Sequence, residues 1–328
     1  MTAHSVAPRS VATDEGRVLT FDVNGDPDGC PVFLLHGTPG SRRGPKPRGI
    51  VLYRLGVRLI SYDRPGYGGS GRHEHRSVRD AADDVQLIAD KLGLDRFAVV
   101  GRSGGGPHAL AVAAELADRV SSTAVLVSLA PADAAGLDWY HGMNGSNVRE
   151  YGDADKDAKA LLESLTAAAN EARRDPRRFI ALIQAELSAP DRRVVGDVTL
   201  RRLLLATYRE ALSQGPDGWI DDVLALRKPW EIDFARITSD VLLWHGADDR
   251  FSPADHTLWL GEQMPRAHVT IQPGIGHFGA VEVLPEVLSW VTQPASAFAG
   301  YPVEPDWMFR TGPADQSLDR AAGLPAAP

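Results

Sequence analysis

Gly101-Arg102-Ser103-Gly104-Gly105 follows the apolar run Phe97-Ala98-Val99-Val100 and opens the alanine-rich run from Pro107 to Leu116. The pattern predicts a strand, a tight turn and a helix. A G-x-S-x-G turn in that setting holds its serine in a strained backbone conformation and lifts the hydroxyl clear of the sheet. Glycines flank the serine because a Cβ there would collide with the neighbouring strand or helix. Serine is also a favoured helix cap. The glycine frame and the partners downstream instead make Ser103 a candidate nucleophile.

Two later turns supply those partners. Strand-like Val241-Leu242-Leu243-Trp244 runs into His245-Gly246-Ala247-Asp248-Asp249-Arg250-Phe251-Ser252-Pro253, which offers an acid. Strand-like His268-Val269-Thr270-Ile271 runs into Pro273-Gly274-Ile275-Gly276-His277-Phe278, which offers a base. Only His277, of the histidines, follows the last strand in a Gly-x-Gly-His turn. The chain order is Ser, Asp, His, and each candidate lies just past the C-terminal end of a predicted strand, the edge where open α/β sheets form sites. The acid turn itself leaves Asp248 and Asp249 open.

Two further turns carry the same stamp. His36-Gly37-Thr38-Pro39-Gly40 follows a strand from Val32 to Leu35, and Asp63-Arg64-Pro65-Gly66-Tyr67-Gly68-Gly69-Ser70 follows a strand from Val57 to Tyr62. Taken together, residues 10–293 resemble an α/β-hydrolase fold serine hydrolase. The resemblance implies an α/β fold: a mostly parallel, eight-stranded sheet flanked by helices, with a helical lid inserted in it. It implies Asp249 as the acid, three residues after the glycine of its turn and four before the proline. It also implies an oxyanion hole built from the backbone N–H groups of Thr38 and Gly104. His36 and Arg64 are read as loop-structuring residues; Arg102 is read as a member of a structural ion pair, with contact to an acidic substrate group as the alternative.

The implied chemistry is attack of Ser103 on the carbonyl of a small-molecule acyl substrate, with a carboxylic ester first in line. It needs no metal and no organic cofactor. A serine at this turn argues against epoxide hydrolases and haloalkane dehalogenases, which use a carboxylate nucleophile. The turn also differs from that of proline iminopeptidases, whose middle residues are bulkier. Acyl transfer or cyclisation, C–C bond hydrolysis, and a receptor-like protein that binds ligand with slow turnover remain open on the same triad, because function resides in the site and not in the fold.

Composition narrows the setting. The chain has 328 residues, 43% of them hydrophobic, and a formal net charge of −8. That suffices for one large domain with a buried core. The acidic balance and the lack of a basic stripe argue against nucleic-acid binding. The single cysteine, Cys30, excludes an internal disulfide and any cysteine metal cluster. No apolar stretch has the length of a membrane span, and residues 1–10 lack the apolar segment of a secretory signal, so the expected location is cytoplasmic.

The remaining elements fall into order around these motifs. Val11 to Thr13 and Val18 to Val23 flank Asp14-Glu15-Gly16, a hairpin signal. Ser77 to Leu92 reads as a helix capped by Ser77, with Val78, Ala81, Val85, Ile88, Ala89 and Leu92 on one apolar face. Residues 131–235 lose the strand signal, and helices are expected over 155–174, 176–187, 199–212 and 218–226. That span is too long for a plain connection. It is assigned to the lid, while residues 10–130 and 236–293 form the core. Trp139, Tyr140 and Met143 at the start of the lid are candidate pocket residues. Residues 294–328, rich in Pro, Ala, Gly and Asp, are expected to form a partly disordered tail.

Overall fold

A computed structural model describes residues 8–293; the proposed C-terminal tail lies outside them. Eight strands form one sheet: β1 (Arg9–Ala12), β2 (Val18–Gly25), β3 (Cys30–Leu35), β4 (Val57–Tyr62), β5 (Phe97–Arg102), β6 (Val120–Leu126), β7 (Asp240–Gly246) and β8 (Ala267–Gln272). Their spatial order is β1-β2-β4-β3-β5-β6-β7-β8. β2 runs antiparallel to β1 and β4, and every other pairing is parallel. Asp14-Glu15-Gly16 makes the first hairpin, with Gly16 at φ +83°, a conformation that costs glycine little.

The central strands are apolar on both faces, as strands covered on both sides should be. Side chains alternate with the period of two that a pleat imposes. On β3, Phe33 and Leu35 enter one core while Val32 and Leu34 enter the other. β5 divides in the same way, Phe97 and Val99 against Ala98 and Val100. Three helices cover the first face: α2 (Ala81–Lys91), α3 (Gly105–Glu115) and α10 (Asp255–Gln263), through residues such as Val85, Ile88, Leu110 and Leu260. On the second, Leu52 of α1 (Gly49–Arg54), Ala280 of α11 (Gly279–Glu282) and Leu284, Val287 and Leu288 of α12 (Leu284–Val291) are buried.

The strand order fixes where a site can form. The chain steps from β3 outward to β4, then crosses back to place β5 on the other side of β3. This reversal opens a crevice beyond the C-terminal ends of β3 and β5. The Thr38 loop leaves β3 there, and Ser103 leaves β5.

Between β6 and β7 lie six helices: α4 (Gly145–Lys156), α5 (Ala158–Arg174), α6 (Pro176–Glu186), α7 (Ala189–Gly196), α8 (Val198–Ala211) and α9 (Asp217–Arg227). The helix expected over 155–174 is in fact two. Asp157 sits at φ −149° between them and caps the second by accepting the Ala160 N–H at 3.0 Å. α4 was not anticipated: its mean character is polar, and its start is set by Asn144 accepting the Asn147 N–H at 2.9 Å. α7 is too short for its periodicity to stand out. The helix expected from Ser77 begins at Ala81, because the Ser77 N–H is drawn onto the Asp80 carboxylate at 2.7 Å and the preceding turn is not helical.

Candidate active site

Ser103 occupies the turn between β5 and α3 with φ +54°. A non-glycine residue held there stores about 1–3 kcal/mol of strain and persists only where its surroundings over-determine it. Those surroundings are explicit. The Ser103 N–H donates to Leu126 O at 2.8 Å, and its carbonyl accepts the Gly106 N–H at 2.8 Å. A Cβ on Gly101 would lie 2.4 Å from Gly105 O and 2.7 Å from the Ala109 Cβ, so the turn admits glycine alone at that position.

Asp249 and His277 meet beside it. Asp249 is buried, and its Oδ2 lies 2.7 Å from the His277 Nδ1. Its Oδ1 accepts the N–H groups of Phe251 at 2.7 Å and Ser252 at 3.2 Å. Oδ2 also faces the His245 Nε2 at 3.1 Å. Burial works against ionisation of Asp249, but His277 and the hydrogen bonds from His245 and His277 hold its carboxyl below the usual carboxylate range. Asp248, by contrast, is exposed and contributes its backbone N–H to Ile275 O at 2.8 Å.

The Thr38 loop approaches from the other side. A Cβ on Gly104 would fall 3.3 Å from the Thr38 nitrogen, so the two backbone N–H groups are close neighbours. Neither has a hydrogen-bond partner among the described residues. Behind the loop lies Asp222 of α9, fully buried, which accepts the Thr38 hydroxyl at 2.6 Å, the Tyr67 hydroxyl at 2.8 Å and Arg64 Nη2 at 2.5 Å, and pairs with Arg76 at 2.7 Å. Arg64 also donates to the carbonyls of His36 and Gly37. Burial opposes the charge on Asp222, and Arg64 and Arg76 overcome that, holding its carboxyl well below the usual range. His36 accepts the Arg64 N–H at Nε2 and sits 2.8 Å from Gly37 O at Nδ1, which makes it a neutral, Nδ1-protonated strut of the loop. Burial, with Arg64 beside it, lowers its pKa well below the ordinary histidine value.

The His277 loop is also held from the helices between β6 and β7. Asp191 of α7, fully buried, accepts the backbone N–H of His277 at 3.1 Å and of Phe278 at 2.7 Å, and the Ser188 hydroxyl at 2.9 Å. A Cβ on Gly276 would lie 2.4 Å from this carboxylate, which accounts for the glycine before His277. Ser103, His277, Thr38 and Arg102 line one cleft of about 60 Å³, and α8 closes it with Leu204, Thr207 and Tyr208.

The model of the alpha/beta hydrolase fold family matches residues 31–282. The chain belongs to the α/β-hydrolase fold family. This α/β-hydrolase is 28% identical to the pimeloyl-[acyl-carrier protein] methyl ester esterase of Nitrosomonas europaea over 226 residues, 67% of the chain and 78% of that protein. It is 34% identical to the proline iminopeptidase of Xanthomonas citri over 112 residues, and so spans 34% of that protein's length. The crystal structure of a hydrolase from Pseudomonas aeruginosa PA01 superimposes with a TM-score of 0.65 at 18% identity, covering 91% of this chain and 100% of that one. The relatives of this family that match the chain include an esterase and a peptidase.

Several residues of this α/β-hydrolase differ from expectation. Trp139, Tyr140 and Met143 are not among the residues lining the cleft. Trp139 is buried edge-on against Tyr140, Tyr151 and His256, with Arg227 4.1 Å over its ring and its indole N–H on Ala130 O at 3.0 Å. The Tyr140 hydroxyl is spent on Asp155 at 2.9 Å, and Met143 packs against the core. Arg102 forms no ion pair among the described residues. His245, Asp191 and Asp222 were missed. His245 precedes the acid by four positions at the end of a strand and has no motif of its own. The two aspartates lie in helices with no register to the core that a sequence displays. No described helix is long and apolar enough to cross a membrane, and no group of three or more candidate metal ligands occurs among the described residues.

Proposed function

We propose that the protein is a serine hydrolase of carboxylic esters, with Ser103 as nucleophile, His277 as general base and Asp249 as the group that orients the base. The observation that carries this reading is the 2.7 Å contact between the buried Asp249 carboxylate and His277 Nδ1, in a cleft that also holds the strained Ser103. With Nδ1–H committed to Asp249, the His277 Nε2 lone pair is left to take the Ser103 proton. The Ser103 oxygen then bonds to the acyl carbon. The oxyanion is received by the N–H groups of Thr38 and Gly104, each such donor being worth about 3–4 kcal/mol in analogous sites. His277 returns the proton to the leaving alcohol, and water, activated by the same base, releases the acid. These steps use only side chains and backbone of this chain. Its similarity to a methyl ester esterase over most of both chains favours an ester as the scissile bond.

We infer in addition that helices α4 to α9 act as a lid. They supply Leu204, Thr207 and Tyr208 to the wall facing Ser103 and no member of the proposed triad. Incubation with a fluorophosphonate tests the reading. One adduct at Ser103 by peptide mapping is expected, with hydrolysis of 4-nitrophenyl acetate lost in Ser103→Ala. Labelling that persists in Ser103→Ala rejects the assignment.

A further inference from the structure

Among the described residues, each buried arginine has an acidic partner. Arg42 is paired with Asp22, Asp63 and Glu210, Arg64 with Asp222, and Arg76 with Asp222. Arg102, half-buried beside the proposed nucleophile, makes no hydrogen bond or ion pair through its guanidinium among the described residues. Its Nη1 is cut off from solvent and has no partner. A guanidinium stays charged at any physiological pH and carries five donors in a planar fork. Leaving such a group desolvated and unpaired costs several kcal/mol, which is why buried charges are ordinarily paired.

The surroundings of Arg102 are suited to an anion. None of the residues lining the Ser103 cleft is acidic, in a chain whose formal charge is −8. Arg102 lies on the wall between this cleft and a smaller cavity of about 10 Å³ bounded by Gly44, Pro45 and Leu284. Tyr208 of α8, buried, lines the same cleft, and its hydroxyl also makes no hydrogen bond among the described residues. Burial disfavours the charged form of Arg102, and no carboxylate among the described residues offsets it. A guanidinium fork and a phenol O–H together present the donors that a carboxylate accepts.

We propose that Arg102, with Tyr208 of the same cleft, binds the free carboxylate of an ester substrate whose acyl portion is a short dicarboxylic acid. The inference rests on the serine esterase reading and names the substrate class for that same site. The small cleft favours a short spacer between the carboxylate and the scissile carbonyl. Ion pairing across it would orient the acyl group against Ser103, the positioning effect by which remote binding groups raise kcat/KM.

Two measurements test this, one needing turnover and one not. The first compares mono(4-nitrophenyl) adipate with its methyl ester, in which a methyl group replaces the negative charge, and reads release of 4-nitrophenol. Wild-type protein is expected to prefer the carboxylate at least 10-fold in kcat/KM. In Arg102→Gln that ratio should fall at least 10-fold, mainly through KM, with partial recovery in Arg102→Lys and a smaller loss in Tyr208→Phe. The second measures calorimetric binding of adipic monoamide against neutral adipamide. Binding of the monoamide by wild type and its loss in Arg102→Gln supports the anion site even if no ester is cleaved, in which case the esterase reading alone fails. Equal binding of both compounds, or an unchanged ester ratio in Arg102→Gln, overturns the proposal, even if Ser103 proves to be the nucleophile.

Discussion

The sheet core and the helical insertion share the work of this protein unequally. The proposed reacting groups all stand on core loops, at the ends of β5, β7 and β8. The insertion supplies none of them, yet it sends carboxylates into the core at the points where those loops need holding: Asp191 to the His277 loop, Asp222 to the Thr38 loop, and Glu210 to Arg42 behind it. Strand ends determine which chemistry is present, and the insertion determines whether its parts are held in place. If that division is right, core substitutions should remove rate with little loss of stability, and insertion substitutions should lower stability or loosen the loops they hold.

The largest effect is expected in the core. Asp249→Asn should lower kcat by about 10⁴-fold, the size of loss found when the orienting carboxylate of such a triad is made an amide. Asp248→Asn, on an exposed side chain, should leave kcat within about twofold. Ester hydrolysis by the two variants measures both, and the reverse ranking would move the acid by one residue.

Asp222→Ala comes next and should act on stability. It leaves Arg64 and Arg76 buried without their counter-ion, a loss of about 3–5 kcal/mol when one partner of a buried pair is removed. Urea unfolding measures it. A loss below about 1 kcal/mol would mean that the network is solvated and that the insertion is not anchored through it.

Glu150 of α4 gives a smaller, pH-dependent effect. Its carboxyl accepts the Trp219 indole N–H at 2.9 Å, and burial pushes its pKa up to about 7, against the opposing effect of that hydrogen bond. An acid whose pKa is raised on folding stays protonated in the folded state while the unfolded chain ionises. Its contribution is therefore whole below the ordinary glutamate pKa and is lost as pH rises towards 7. Glu150→Gln should match wild type near pH 4.5 and be more stable by about 1–2 kcal/mol at pH 8, after allowance for partial exposure. Thermal unfolding at the two pH values checks this, and an unchanged difference would show that Glu150 does not titrate in this range.

The same division explains what the sequence displays. Strands β3 to β7 are legible because their apolar runs are buried on both faces, and the turns after β3, β5, β7 and β8 carry glycines beside the candidate residues. The turn itself leaves Asp248 and Asp249 open and the resemblance favours Asp249; in three dimensions Asp249 is buried on His277 and Asp248 is exposed. The insertion is harder to read. Its helices are amphipathic, but nothing local to Asp191 or Asp222 distinguishes a carboxylate turned inward from one on a solvated face. Trp139 and Tyr140 mislead for a related reason: large aromatic residues near a site serve packing as readily as binding, and here they meet Tyr151, Arg227 and His256. For Arg102 the unexpected feature is the lack of a partner, which no sequence reveals.

Asp191 is a point where the two regions meet, and it bears on the central claim that the insertion holds the proposed catalytic loops in working geometry. The most direct measurement is the second-order rate of fluorophosphonate labelling at Ser103 in Asp191→Asn, followed beside its melting temperature. An amide can satisfy only one of the two N–H groups of His277 and Phe278 that Asp191 accepts. The account predicts labelling slowed about 10-fold, equivalent to about 1.4 kcal/mol, with the fold retained. Labelling at the wild-type rate would contradict it and reduce the insertion to a cover.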